Sequence, residues 1–256
     1  MLAGCGPARP AAHATAPSAT PPAPAPAPSV TSPVPSAAAA PTSPSGSSLP
    51  ASPSGSSPPV PRPSASPRPD LLRPGASGPE VLAVQQRLAG LGYWLGTPDG
   101  RYGSATVHAL TAFQKLAGLD RDGVLGPDTK RVLAGAQRPK PRSTGGTLIE
   151  VSLARQVVFL VRDGRTEWVL DASTGRVAGT TPTGRYTVFR QVDGYDPGPL
   201  GVLYRPKYFT GGVAVHGFPD VPPFPASHGC VRVTNQAMDW LWSSGRLPIG
   251  MPVWVY

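Results

Sequence analysis

Acidic residues and cysteine are both scarce in this chain. Fourteen Asp and Glu stand against 23 Lys and Arg in 256 residues, a formal charge of +9. No Asp or Glu precedes Asp70, and no Phe, Trp or Tyr precedes Tyr93. From Pro7 to Pro69 the sequence is almost only Ala, Pro, Ser, Thr and Gly, and holds 20 of the 36 prolines. Such a segment has too little apolar surface to offset the entropy of ordering. Residues 1–69 therefore read as a head and a disordered linker, and folding is expected from residue 70 onward. The only cysteines are Cys5, in that head, and Cys230, which excludes a disulfide framework. A basic chain suits nucleic acid, an anionic membrane or an anionic wall polymer. No block of like charge and no interleaving of aromatic and basic residues occurs, so nucleic acid is not an expected partner.

Leu2-Ala3-Gly4-Cys5 resembles the lipobox of bacterial lipoproteins, in which the thiol is lipidated. The resemblance implies membrane anchoring through Cys5 and an extracytoplasmic location. Neither a basic n-region nor an apolar h-region precedes Cys5, so the secretory signal is expected upstream of Met1.

Residues 70–136 carry a helical pattern. Ser77-Gly78-Pro79-Glu80 has capping-box spacing, with Ser77 as the expected N-cap. Val81, Val84, Leu88 and Leu91 follow at spacings of three and four, one apolar helix face. A second helix is expected over about Ser104 to Ala117. Asp99-Gly100-x-x-Gly103-x-x-Thr106 is repeated as Asp122-Gly123-x-x-Gly126-x-x-Thr129, a tight turn followed by a helix each time. These turns, with Val84-Gln85, Leu91-Gly92-Tyr93 and Phe113-Gln114, resemble the peptidoglycan-binding domain 1 family. The resemblance implies a three-helix module; His108, inside the second helix, is read as structural or surface.

After a short basic link, 137–146, the period changes. Leu148–Ser152, Gln156–Val161, Trp168–Leu170, Tyr186–Phe189, Val202–Tyr204, Val213–Val215 and Val253–Tyr256 read as short strands. Only Asn235–Ser243 reads as a helix. The fold class expected for 147–256 is a mainly β sandwich with one short helix.

Val215-His216-Gly217 and Ser227-His228-Gly229-Cys230-Val231-Arg232 hold the chemistry. A thiol becomes a useful nucleophile when a neighbouring imidazole takes its proton. Gly229 allows close approach of backbone to a substrate carbonyl. The Cys230 N–H, with that of Gly229 or His228, is expected to form an oxyanion hole.

This His followed by Ser-His-Gly-Cys, with Ser173-Thr174-Gly175 and Thr181-Pro182-Thr183-Gly184, resembles the L,D-transpeptidase catalytic domain over about 147–256. The resemblance implies that Cys230 is the nucleophile and His216 the base, and then the acid. His228 is the rival base and is expected to line the cleft, with Ser227 and Arg232 beside it. The carbonyl of Gly217, where many members of the family carry Ser, is expected to orient the imidazole. The stretch Gly217–Ala226 is shorter than is common in the family and contains Pro219, Pro222, Pro223 and Pro225. The implied substrates are peptidoglycan stem peptides, and a monomer without metal or cofactor is expected. Three other readings stand beside this one. Water as acceptor would give an L,D-carboxypeptidase. His216, His228 and Cys230 as ligands would give a zinc site, although no H-E-x-x-H run is present. Loss of activity would leave a wall-binding lipoprotein.

Overall fold

The structure is a computed structural model and describes residues 71–256. The linker and the lipidation site expected at Cys5 lie outside the described residues. Three helices come first: α1 (Pro79–Gly90), α2 (Ser104–Ala117) and α3 (Pro127–Gly135). Each opens after a glycine, and α1 and α3 carry proline in the first turn, where a missing N–H breaks no helical bond. The expected capping box is corrected here. Gly78 is the N-cap of α1 with no side-chain cap, and Ser77 instead pairs with Arg101 in a β-bridge.

The repeated turns are held by one device used twice. The buried Gln85 amide nitrogen shares its two protons among Asp99 Oδ1, the Arg101 carbonyl and Thr106 Oγ1, while its Oε1 accepts from the Asp99 and Gly100 N–H groups. Gln114 does the same for the second copy, donating to Asp122 Oδ1, the Val124 carbonyl and Thr129 Oγ1 and accepting from Gly123 N–H. The Asp, Gly and Thr of the repeat are thus turn residues read by a glutamine from the preceding helix.

Ten strands and one helix follow: β1 (Leu148–Ser152), β2 (Val157–Arg162), β3 (Arg165–Asp171), β4 (Gly184–Thr187), β5 (Arg190–Gln191), β6 (Tyr195–Gly198), β7 (Gly201–Thr210), β8 (Val213–Phe218), β9 (Val231–Thr234), α4 (Asn235–Ser243) and β10 (Pro252–Val255). One sheet runs β3-β2-β1-β10-β4; the other runs β5-β7-β8-β9, with β6 on β7. The short β5, β6 and β9 were not expected from the sequence. Thr234 caps α4 by accepting from the Ala237 N–H at 3.1 Å. Ile149, Val151, Val158 and Leu160 of the first sheet meet Val215, Val231 and Val233 of the second, with Ala237, Met238 and Leu241 of α4, in one core.

The helical part is bonded to the first sheet. β3 is an edge strand, and its Val169 donates to the Gly92 carbonyl and accepts from the Trp94 N–H. Val157, Phe159 and Val161, on the other face of β2, join Val81, Leu88, Tyr93, Leu110 and Phe113 in a second core. The link 137–146 is pinned as well: Arg138 donates to the carbonyls of Gly90, Thr166 and Glu167, and the N–H groups of Arg142 and Ser143 donate to the Glu150 carboxylate. No helix among the described residues is long and apolar enough to cross a membrane.

Candidate active site

β8 and β9 are parallel neighbours, with His216 opposite Arg232 and Val215 opposite Val231. Side chains two apart on a strand share a face. The register therefore puts His216, Arg232 and the position of Cys230, one residue before β9, on one face of the sheet. Val215, Val231 and Val233 fill the core on the other face. The alternation of apolar and chemical residues in Val215-His216 and Cys230-Val231-Arg232-Val233 is what divides core from site.

His216 is 2% exposed. Its Nδ1 lies 2.9 Å from the carbonyl of Gly217. A carbonyl only accepts, so Nδ1 carries the proton and Nε2 is left with a free lone pair. Burial disfavours the imidazolium and lowers the pKa to about 4. Gly217 is confined by its neighbours: a Cβ there would fall 2.6 Å from the Tyr204 ring and 2.7 Å from Asn235 Oδ1. The space a side chain would need there is taken by Tyr204, which sits opposite Gly217 on β7.

Cys230 is partly buried. Its Sγ faces the Gly212 carbonyl at 3.7 Å. Burial raises its pKa, opposed by the Ala214 N–H and the charge of Arg232. The thiol and the imidazole are thus both neutral near pH 7.

The turn before Cys230 is closed by its own side chains and backbone. Ser227 is 2% exposed, and its Oγ donates to the Cys230 carbonyl and accepts from the Gly229 N–H at 3.0 Å. Its hydroxyl is spent on folding the turn. The Gly229 N–H, engaged in the same way, is not free for an oxyanion, and its carbonyl accepts from Thr181 Oγ1 at 2.7 Å. Glycine is required for a different reason: φ is +149°, and a Cβ would lie 2.6 Å from the Thr180 carbonyl oxygen. His228 is exposed.

Arg232 is half-buried. Its guanidinium stacks 3.9 Å from the centre of the Phe218 ring. Its Nε is buried and has no hydrogen-bond partner among the described residues. The backbone of Arg232 exchanges hydrogen bonds of 3.0 and 2.8 Å with Ser173. This pairing, and those of Thr174 with Ala226 and Ser227, explain the Ser173-Thr174-Gly175 run: it is the frame against which the turn is built. Among the described residues no cluster of three or more His, Cys, Asp or Glu is arranged to hold a metal.

Residues 146–255 match the YkuD family, described as the L,D-transpeptidase catalytic domain, and 77–133 match a peptidoglycan binding domain family. A solved L,D-transpeptidase structure from Xylanimonas cellulosilytica is 48% identical, with a TM-score of 0.71, and covers 75% of this chain and 100% of its own. N-acetylmuramoyl-L-alanine amidase CwlL of Bacillus licheniformis is 47% identical over 75 residues, 28% of this chain and 21% of that protein. A spore cortex-lytic enzyme of Bacillus cereus is 42% identical over 64 residues, 25% of each. The chain thus spans between about a seventh and a quarter of the curated relatives it matches. With a relative covered over its whole length at 48% identity, this chain belongs to the L,D-transpeptidase family.

Proposed function

We propose that this chain is a cysteine L,D-transpeptidase that crosslinks peptidoglycan. The observation that carries the reading is the tautomer of His216: with Nδ1–H committed to the Gly217 carbonyl, Nε2 is the acceptor on the sheet face it shares with Cys230. Because burial keeps both groups neutral, the proton leaves Sγ for Nε2 as sulfur attacks, rather than beforehand. The attacked carbonyl joins the L-centre of a diamino acid to the terminal D-Ala of a tetrapeptide stem. The developing oxyanion is held by the Cys230 N–H with that of His228. The C–N bond breaks, D-Ala leaves with the proton from Nε2, and a thioester remains on Cys230. An amine of a second stem then attacks the thioester, and its proton returns through His216 to the departing sulfur. The half-buried Arg232 guanidinium, on the same sheet face, offers a charged donor for the D-Ala carboxylate.

The helical module is read as a peptidoglycan contact and the working place as outside the cytoplasmic membrane, with Cys5 as a lipid anchor. Incubation with purified tetrapeptide fragments tests the chemistry. Mass analysis is expected to find free D-Ala and a crosslinked dimer with the native protein, neither with Cys230→Ser, and almost none with His216→Ala. Free D-Ala with tripeptide alone would make water the acceptor and the protein an L,D-carboxypeptidase. Intact His216→Ala turnover with loss in His228→Ala would transfer the base role to His228.

A further inference from the structure

The loop Phe218–Ala226 runs between His216 and the Cys230 turn, and it is poor in ways to hold itself. Pro219, Pro222, Pro223 and Pro225 have no N–H to donate, so most of its carbonyls need donors from elsewhere. Three ties from outside are present. Ser173 Oγ donates to the Phe224 carbonyl at 2.7 Å, and the Ala226 N–H donates to the Thr174 carbonyl at 2.9 Å. The third comes from the helical module: Arg121, half-buried between α2 and α3, donates from Nη1 to the Pro223 carbonyl at 3.2 Å.

The module is itself fixed close to the same frame. Lys115 of α2 is fully buried. Its ammonium donates to Asp171 Oδ1, to the Gln156 carbonyl at 3.0 Å and to the Ala172 carbonyl at 2.8 Å, which uses all three of its protons. His108 Nδ1 donates to the other Asp171 oxygen at 2.7 Å. Asp171 and Ala172 run directly into Ser173 and Thr174. Gln156 continues the connection: its side chain donates to Thr174 Oγ1 and accepts from the Thr174 N–H, both at 2.7 Å. Ser227 hangs from the Thr174 carbonyl, and Arg232 from Ser173. Both ends of the Cys230 turn are therefore built on the segment that Lys115 grips.

We propose that Arg121 is a positioning residue for the Cys230 site, with the Lys115 anchor fixing the module so that Arg121 holds the proline-rich loop in place. The helical module is then a structural part of the active site as well as a wall contact. This rests on the reading of Cys230 as nucleophile.

Arg121 is the residue to test, because Lys115→Met would leave Asp171 buried without its cation and threaten folding. Native protein, Arg121→Ala and Arg121→Lys are compared in the full chain on soluble tetrapeptide stems without glycan, so that wall binding does not enter. Arg121→Ala is expected to melt close to the native temperature and to lose about 2- to 30-fold in kcat, with KM changed much less. Arg121→Lys, which keeps a donor, is expected to recover most of that loss. Alkylation of Cys230 by iodoacetamide, which needs no turnover, is expected to change rate in Arg121→Ala and to return toward the native rate in Arg121→Lys. Equal kcat and equal alkylation rates in native protein and Arg121→Ala would overturn the proposal. If native protein failed to release D-Ala, the proposed activity would fall, while the alkylation rates would still decide the role of Arg121.

Discussion

Burial sets the charge of His216 and, through it, two pH dependences. The folded imidazole has a pKa of about 4 against an ordinary 6.5. Between these values an unfolded chain takes up a proton that the folded chain does not. The stability contributed by neutral His216 is therefore intact above pH 6.5 and declines as pH falls toward 4, by about 3 kcal/mol over the window. Melting temperature should fall on acidification from 6.5 to 4, and the fall should be shallower in His216→Gln; equal slopes would assign the effect to other groups. The same group should place the acid limb of kcat/KM near 4, and a limb near 6.5 would mean that His216 is not the base. Gly217 orients the imidazole through its backbone alone. Its carbonyl fixes the tautomer, a task that needs no side chain, while the volume that a serine would need belongs to Tyr204 and Asn235.

Helix and turn in the helical module are coupled through Gln85 and Gln114, and the coupling has a predictable cost. Gln114→Leu would leave the buried Gly123 N–H and the part-buried Val124 carbonyl without their partner. A buried unsatisfied group costs about 1–3 kcal/mol, so urea unfolding should show a loss of about 2–5 kcal/mol in total. A change within about 0.5 kcal/mol, the usual size for a surface substitution, would show that the glutamine clamp is dispensable. The repeat was legible in the sequence because its Asp, Gly and Thr recur at fixed spacing; the glutamine that reads it was visible only as part of a family resemblance. The α2 and α4 limits were legible from apolar periodicity. The short β5, β6 and β9 were not, because two to four residues hold too little pattern. His216 and Cys230 stood out by residue type and context. The engagement of Ser227 and of the Gly229 N–H was hidden, because it depends on how a turn folds back on itself. Nothing local marks Lys115: its partner Asp171 is 56 positions away, and no local pattern announces such a pair.

The two matched families meet in one molecule with shared cores. One sign of this was in the sequence: Val157-Val158-Phe159-Leu160-Val161 is apolar without alternation, as a strand covered on both faces must be. Val158 and Leu160 face the sandwich core, and Val157, Phe159 and Val161 face the helices. Trp94, from the helical part, packs against Trp240 of α4 with ring centres 5.6 Å apart. A chain beginning at residue 146 would expose the apolar outer face of β2, bare the β3 edge to pairing with other chains, and strip Asp171 of Lys115 and His108. Residues 71–256 should therefore unfold in a single transition, with calorimetric and van't Hoff enthalpies in agreement. Residues 146–256 alone should melt lower or aggregate. Two resolved transitions in the longer chain, with the upper one retained unchanged in the shorter, would mean that the helical part is only a passenger. A single transition would mean that a mutation in a core residue of the helical module such as Phe113 lowers the stability around His216 and Cys230, more than a hundred positions further along the chain, although it touches neither side chain.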